Sequence, residues 1–167
     1  MKRLVIYFHY DPAGRIDTAC RIAVQAMQKY AKVLFVTNGT LTPADRVWVR
    51  QAGAGRIERD NTGFDVGAYK EALLTLGREK LAEYEEVILM NFTLAGPVCP
   101  LGPMFAAMDA RAELDFWGLT PLCHAEPPLW RRGAGTPAIP LPGAAAAIIQ
   151  QRRLLGLLAA DGAARKL

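Results

Sequence analysis

A chain of 167 residues that is 51% hydrophobic and 22% charged is long enough for one domain with a core, and too apolar for wholesale disorder. Its net charge of +4 and pI of about 9.1 are mildly basic, which suits an anionic ligand or loose attachment to an anionic membrane surface. No Lys/Arg stripe interleaves with aromatics, so the charge does not call for nucleic acid. Cys20, Cys99 and Cys123 are odd in number and far apart. They argue against a disulfide framework or a zinc site and predict reduced, mostly buried thiols in a cytoplasmic protein.

The chain opens on Met1-Lys2-Arg3 and an apolar run that imitates a signal peptide. The run stops at His9-Tyr10-Asp11, short of the at least ~7 apolar residues such a signal needs, and no small-residue cleavage site follows. Residues 4–8 therefore read as a first strand covered on both faces. No apolar stretch approaches the roughly 18–20 residues that span a bilayer. A loop over 9–14 leads to a helix capped by Asp17 or Thr18, with Ala19, Ile22, Ala23, Ala26, Met27 and Tyr30 on one side. Residues 32–37 are a second buried strand ending in Asn38-Gly39. Thr42-Pro43 opens a short helix, the hydroxyl as cap and the proline in its first turn.

Residues 55–59 read as a third strand, and a polar turn follows it, Asp60-Asn61-Thr62-Gly63-Phe64-Asp65. Asn61 and Gly63 are turn residues, and Ala68, Tyr69, Leu73 and Leu74 then recur at helical spacing until Gly77 stops the pattern near Leu76. One or two more helical turns are expected over 78–84. A strand end, a glycine-bearing turn and a helix N-terminus make a place for an anion or a nucleotide. The same residues also read as an ordinary strand-to-helix turn with Asp65 as a first-turn carboxylate. Residues 86–90 are a fourth strand ending in Asn91-Phe92-Thr93. Met104, Phe105 and Met108 mark a helix, and residues 114–119 a fifth strand.

Strands alternating with helices predict an α/β fold: a mostly parallel twisted sheet with helices on both faces, in three layers. Ligands of such sheets bind beyond the carboxyl ends of the strands. The polar clusters at His9 to Asp11, Asn38-Gly39, Asn61 to Asp65 and Asn91 to Thr93 all fall at such ends. Residues 1–120 make up this domain. Residues 121–167 hold a Pro/Gly-rich segment over 121–142 and an apolar helix over 148–158, either part of the same domain or an extension of it.

The string Arg59-x-Asn61-x-Gly63-x-Asp65-x-Gly67-Ala68-Tyr69-Lys70 resembles the signature of the rhamnan synthesis protein F family, bacterial proteins of polysaccharide assembly with a glycosyltransferase-like domain. Phe8-His9-Tyr10-Asp11, Val36-Thr37-Asn38, Leu89-Met90-Asn91 with Gly96-Pro97, and Asp115-Phe116-Trp117-Gly118-Leu119-Thr120 resemble its other motifs, so the likeness spans about residues 3 to 120. It implies a nucleotide-sugar-binding architecture of the GT-A kind. It also implies transfer of a sugar, rhamnose among the candidates, from a nucleoside diphosphate donor to a glycan acceptor in rhamnan or lipopolysaccharide O-chain synthesis. The expected setting is the cytoplasm or the inner face of the membrane, with a homo-oligomer or a larger synthase complex as the assembly.

Two departures stand out. Phe92 takes the place of an Asp associated with a divalent metal, Mg²⁺ or Mn²⁺, and a phenyl ring offers such an ion no oxygen. Asn91 and Thr93 are left as the oxygen donors of that segment. The family's His-x-Gln-Ser-x-Phe segment has no counterpart after Thr120. Asn61, Gly63 and Asp65 are the expected nucleotide contacts, with Asn38 at the neighbouring strand end. Arg59 reads either as a phosphate partner or as a salt bridge to Glu58 or Asp60. His9 reads as facing the diphosphate or as a hydrogen-bonded structural histidine, and Asp11 as a base or ribose contact or an Asx turn. Asp115 reads as the acceptor's general base or as a structural carboxylate. A non-catalytic nucleotide- or glycan-binding module, or an interaction domain of a larger synthase, is the rival to a transferase.

Overall fold

The unbroken apolar run near the start of the chain becomes the central strand, β1 (Arg3–Tyr10), buried from Arg3 through His9. The computed structural model describes residues 1–94, 96–111, 114, 117 and 118 with their side chains, and Phe116 and residues 146–150 by backbone alone. β1 pairs in parallel with β2 (Lys32–Asn38) on one side and β4 (Glu86–Asn91) on the other, and β2 pairs in parallel with β3 (Gly55–Arg59). Beyond β4 lie β6 (Ala146–Gln150) and then β5 (Phe116–Gly118), both joined antiparallel, giving the order β3-β2-β1-β4-β6-β5.

Side chains alternate across a strand, and β1 divides its apolar residues between two cores. Val5 and Tyr7 pack with Val33, Phe35, Ile88 and Met90 against α1 (Thr18–Gln28), α2 (Pro43–Gln51) and α4 (Gly102–Asp109). Leu4, Ile6 and Phe8 pack with Leu34, Val36 and Val87 against Ala68, Ala72 and Leu81 of α3 (Phe64–Leu81). The chain steps outward from β1 to β3 with its helices on one face, then returns to β4 with α3 on the other. All three crossovers thus share one hand, as parallel β-α-β units require. The expected three-layer, mostly parallel α/β architecture is the one observed.

The expected helix caps and stop are the ones observed. Asp17 caps α1 by accepting from the Cys20 N–H at 2.7 Å, and Thr42 caps α2 ahead of Pro43. Gly77 sits at φ 69°, a left-handed conformation that breaks α3 where the apolar pattern ends. Gly14 is also at positive φ; a Cβ there would collide with the Thr40 carbonyl, because the loop after β1 lies against the loop after β2.

One expectation is corrected. Ile148 to Gln150 do not open a helix; they close strand β6, whose backbone pairs with β4 and β5 on its two sides. An apolar run with adjacent β-branched Ile148 and Ile149 suits such a place, where the backbone of β4 needs a partner on its outer side. The remainder of the expected helix lies outside the described residues. Of the thiols expected to be mostly buried, Cys20 is buried and Cys99 is exposed; Cys123 lies outside the described residues.

The Asp17 cap makes a simple prediction. Its hydrogen bonds to the amides of Cys20 and Ala19 hold its carboxyl below the ordinary value. Asp17→Ala should cost about 1 kcal/mol at neutral pH. A lowered carboxylate stabilises the fold above its unfolded pKa and ceases to as pH falls through the folded one. Urea denaturation of both forms should therefore show the gap closing on acidification; a gap that widens toward low pH would contradict the cap.

Candidate functional site

Because β1 to β4 are parallel, their carboxyl ends share one edge of the sheet. The strand order reverses between β1 and β4, which makes the β1/β4 crevice the topological switch point where such sheets seat ligands. Two hydrogen bonds tie the motif turn to that edge. The Asn91 Nδ2 donates to Asp65 Oδ2 at 3.1 Å, and the Asn38 Nδ2 donates to Asn61 Oδ1 at 2.8 Å. Residues separated by more than twenty positions thus converge from β2, the β3–α3 turn and β4.

The turn is built around a buried carboxamide and a nearly buried guanidinium. Asn38 is fully buried; its Nδ2 also reaches the Phe64 carbonyl at 3.2 Å, and its Oδ1 accepts from Arg59 Nη1 at 2.6 Å. Arg59 donates from Nη2 to the Thr62 carbonyl at 2.8 Å and pairs through Nε with Glu71 Oε2 at 2.7 Å. Its ion-pair partner is therefore Glu71 of α3, not Glu58 or Asp60. Alternation along β3 turns Glu58 to the other face, where it pairs with Arg46 of α2 and with Arg56. Gly63 is left-handed at φ 70° and its carbonyl accepts from the Gly67 N–H at 2.7 Å. A Cβ on Gly67 would overlap the Thr62 carbonyl, so the motif's second glycine lets the turn close onto the helix.

Asp65 is half-buried in the first turn of α3, with Oδ1 on the Val66 N–H at 2.9 Å and Oδ2 on Asn91. At the end of β1, Asp11 Oδ1 accepts from the Ala13 and Arg15 N–H groups at 2.8 and 3.1 Å, an Asx arrangement that shapes the loop. His9 is 2% exposed, bonded through Nδ1 to Thr37 Oγ1 at 2.9 Å and packed against the rings of Phe35 and Phe92. Burial, the largest influence, lowers its pKa and keeps the imidazole neutral near pH 7. Asp115 lies outside the described residues.

Whether the Asn91 segment can hold a divalent ion depends on its free donors. Asn91 Oδ1 already accepts from the Thr93 N–H at 3.1 Å, and Asn91 Nδ2 holds Asp65. Phe92, half-buried, lays its ring edge-on to Phe8 and His9 at 5.7 Å each. Among the described residues no group of three or more His, Cys, Asp or Glu stands close enough to hold a metal. Mg²⁺ and Mn²⁺ take oxygen ligands, commonly carboxylates, and Asn91, Phe92 and Thr93 supply no carboxylate.

Sequence reasoning missed the partners that sit opposite rather than adjacent: Thr37 for His9, and Glu71 for Arg59. Thr37 faces His9 in the parallel register of β1 and β2, so the pairing of these strands was the signal for it. Nothing in the local sequence signals Glu71, which stands 12 positions away on α3.

A family model described as rhamnan synthesis protein F matches residues 33–131. The matched span begins after α1, so the His9 to Asp11 motif lies outside it. No curated protein matches the chain. Among solved structures, a protein named as a nucleotide-diphospho-sugar transferase from Desulfovibrio desulfuricans G20 is similar with a TM-score of 0.46 at 11% identity, over 90% of this chain and 64% of that one. The apo form of the glycosyltransferase GlyE of Streptococcus pneumoniae TIGR4 is similar with a TM-score of 0.43 at 14% identity, over 95% of this chain and 36% of that one. The chain thus spans less than two thirds of either.

Proposed function

The chain belongs to the rhamnan synthesis protein F family, and from that premise we propose that it is a glycosyltransferase of cell-surface polysaccharide assembly that moves a sugar from a nucleoside diphosphate donor to a growing glycan. Rhamnose is the donor sugar the family name favours. The observation that carries the reading is the Asp65–Asn91 hydrogen bond, which brings the motif turn to the switch-point edge of the sheet. In this reading Asn61 and Asp65 contact the nucleotide, and the first amides of α3 face its negative charge. Arg59 and Asn38 hold the turn in shape, since their polar atoms are already bonded within the protein. Asp115 is the candidate base for the acceptor hydroxyl. Transfer also needs the leaving diphosphate neutralised and water kept from the sugar carbon. No step is routed through a metal, because the donors around Asn91 do not fit one.

A nucleotide- or glycan-binding module without transfer is the second reading, favoured by Phe92 at the end of β4. No helix among the described residues is long and apolar enough to cross a membrane. Peripheral attachment to an anionic surface, through the net charge of +4, and assembly with a larger synthase belong to this proposal.

Thermal unfolding with UDP, dTDP and GDP, with and without Mn²⁺, tests both readings. A ligand at a hundred times its Kd stabilises by about 2.7 kcal/mol, which raises Tm by roughly 5–11 °C in a domain of this size. The expected result is a rise that ignores Mn²⁺ in the native protein and depends on Mn²⁺ in Phe92→Asp. No rise with any nucleotide would contradict the nucleotide site and leave the interaction-domain reading.

A further inference from the structure

We propose that Phe64 is the platform on which the aromatic base of the nucleotide stacks, an inference that rests on the nucleotide-site reading above. Phe64 is 72% exposed, and its φ is 50°, the only positive φ on a non-glycine residue among those described. A bulky residue in the left-handed region is strained, and an exposed phenyl ring leaves apolar surface in water. Among the described residues the ring belongs to neither core and meets no other aromatic ring.

The turn is nevertheless fixed around it. Gly63 precedes it in the same left-handed conformation. The Phe64 carbonyl is held by the fully buried Asn38, and the Thr62 carbonyl by Arg59, whose side chain is 8% exposed. The fold thus uses buried polar groups to present an aromatic face outward, between Asn61 and Asp65, at the edge where the sheet seats its ligand. A strained residue that the surroundings over-determine is the pattern of a ligand contact. The planar, apolar-faced part of a nucleoside diphosphate is its base. Stacking is indifferent to which base is offered, so Phe64 should set affinity for nucleotides in general and leave discrimination to the polar neighbours.

Calorimetric titration of the full chain with UDP, dTDP, GDP and inorganic pyrophosphate tests this. Phe64→Ala should lose about tenfold in affinity for every nucleoside diphosphate and nothing for pyrophosphate. Phe64→Trp should keep the affinity, and its new indole should be quenched when nucleotide binds. Phe64→Asn should melt no lower than the native protein, because asparagine tolerates this backbone, which separates a binding loss from a folding loss. Unchanged nucleotide affinity in Phe64→Ala, alongside a loss in Asp65→Asn, would overturn the platform and leave the nucleotide site standing. Unchanged affinity with altered self-association would assign the ring to contacts between copies, and also overturn it. A native protein that binds no nucleoside diphosphate would overturn both.

Discussion

Glu86→Ala should destabilise the protein by about 3–5 kcal/mol, the cost of removing one partner of a buried ion pair. Glu86 opens β4 opposite Arg3 of β1, at the amino edge of the sheet and away from the motif turn. It is 1% exposed; Oε2 accepts from Arg3 Nε at 2.5 Å, and Oε1 accepts from Trp117 Nε1 at 2.9 Å. Arg3 is 6% exposed, lies over the Phe105 ring at 4.4 Å and also pairs with Asp109 of α4. One carboxylate therefore ties β1, β4 and β5 together beneath α4. Truncating it strands the guanidinium with the partly exposed Asp109 and orphans the indole N–H of Trp117. Whole domains are stable by only about 5–15 kcal/mol, so the variant should unfold at much lower urea. The contrast with a double variant separates a stranded charge from lost packing. Arg3→Met with Glu86→Leu removes both charges and should cost clearly less than Glu86→Ala, since a buried ion pair exchanged for apolar side chains is often near neutral. A single variant within 1 kcal/mol of the native protein, or a double variant that costs more than the single, would contradict this account of the pair.

What could be read from the sequence followed from short-range physics. Continuous apolar runs named the central strands, because a strand covered on both faces needs no polar alternation. Asp17, Thr42 and Gly77 marked helix ends by their side-chain chemistry alone. That the motif turn and Asn91 share an edge followed once the sheet was taken as parallel, since parallel strands put all their carboxyl ends on one side. The rest depended on what the fold brings together. Arg59 has Glu58 and Asp60 beside it in sequence, but the strand turns Glu58 to the opposite face and α3 returns Glu71 over Arg59. Asn38 reads as a nucleotide contact at a strand end, yet it is fully buried and bonded on both sides of its carboxamide. Residues 146–150 became a strand because β4 and β5 lie on either side to pair with them, which no local pattern states. The left-handed Phe64 had no signal at all, since aromatic residues rarely adopt that conformation.

Asp65→Asn should weaken nucleotide binding roughly ten- to a hundredfold, because hydrogen bonds to a charged group contribute about 1.5–3 kcal/mol. Its effect on stability should be far smaller. The carboxylate accepts from the Val66 N–H and from Asn91, both of which an asparagine oxygen can still serve one at a time. Its charge near the first turn of α3 adds roughly 0.3–1 kcal/mol. With the nucleotide seated on the turn from Asn61 to Asp65, the two effects separate in a single pair of proteins. Calorimetric titration of native and Asp65→Asn protein with a nucleoside diphosphate, with melting temperatures recorded on the same samples, is the direct measurement. The account predicts a large loss of affinity with a melting temperature lowered by only a few degrees. Retained affinity with a large loss of stability would make Asp65 a structural residue and remove the site from this edge of the sheet.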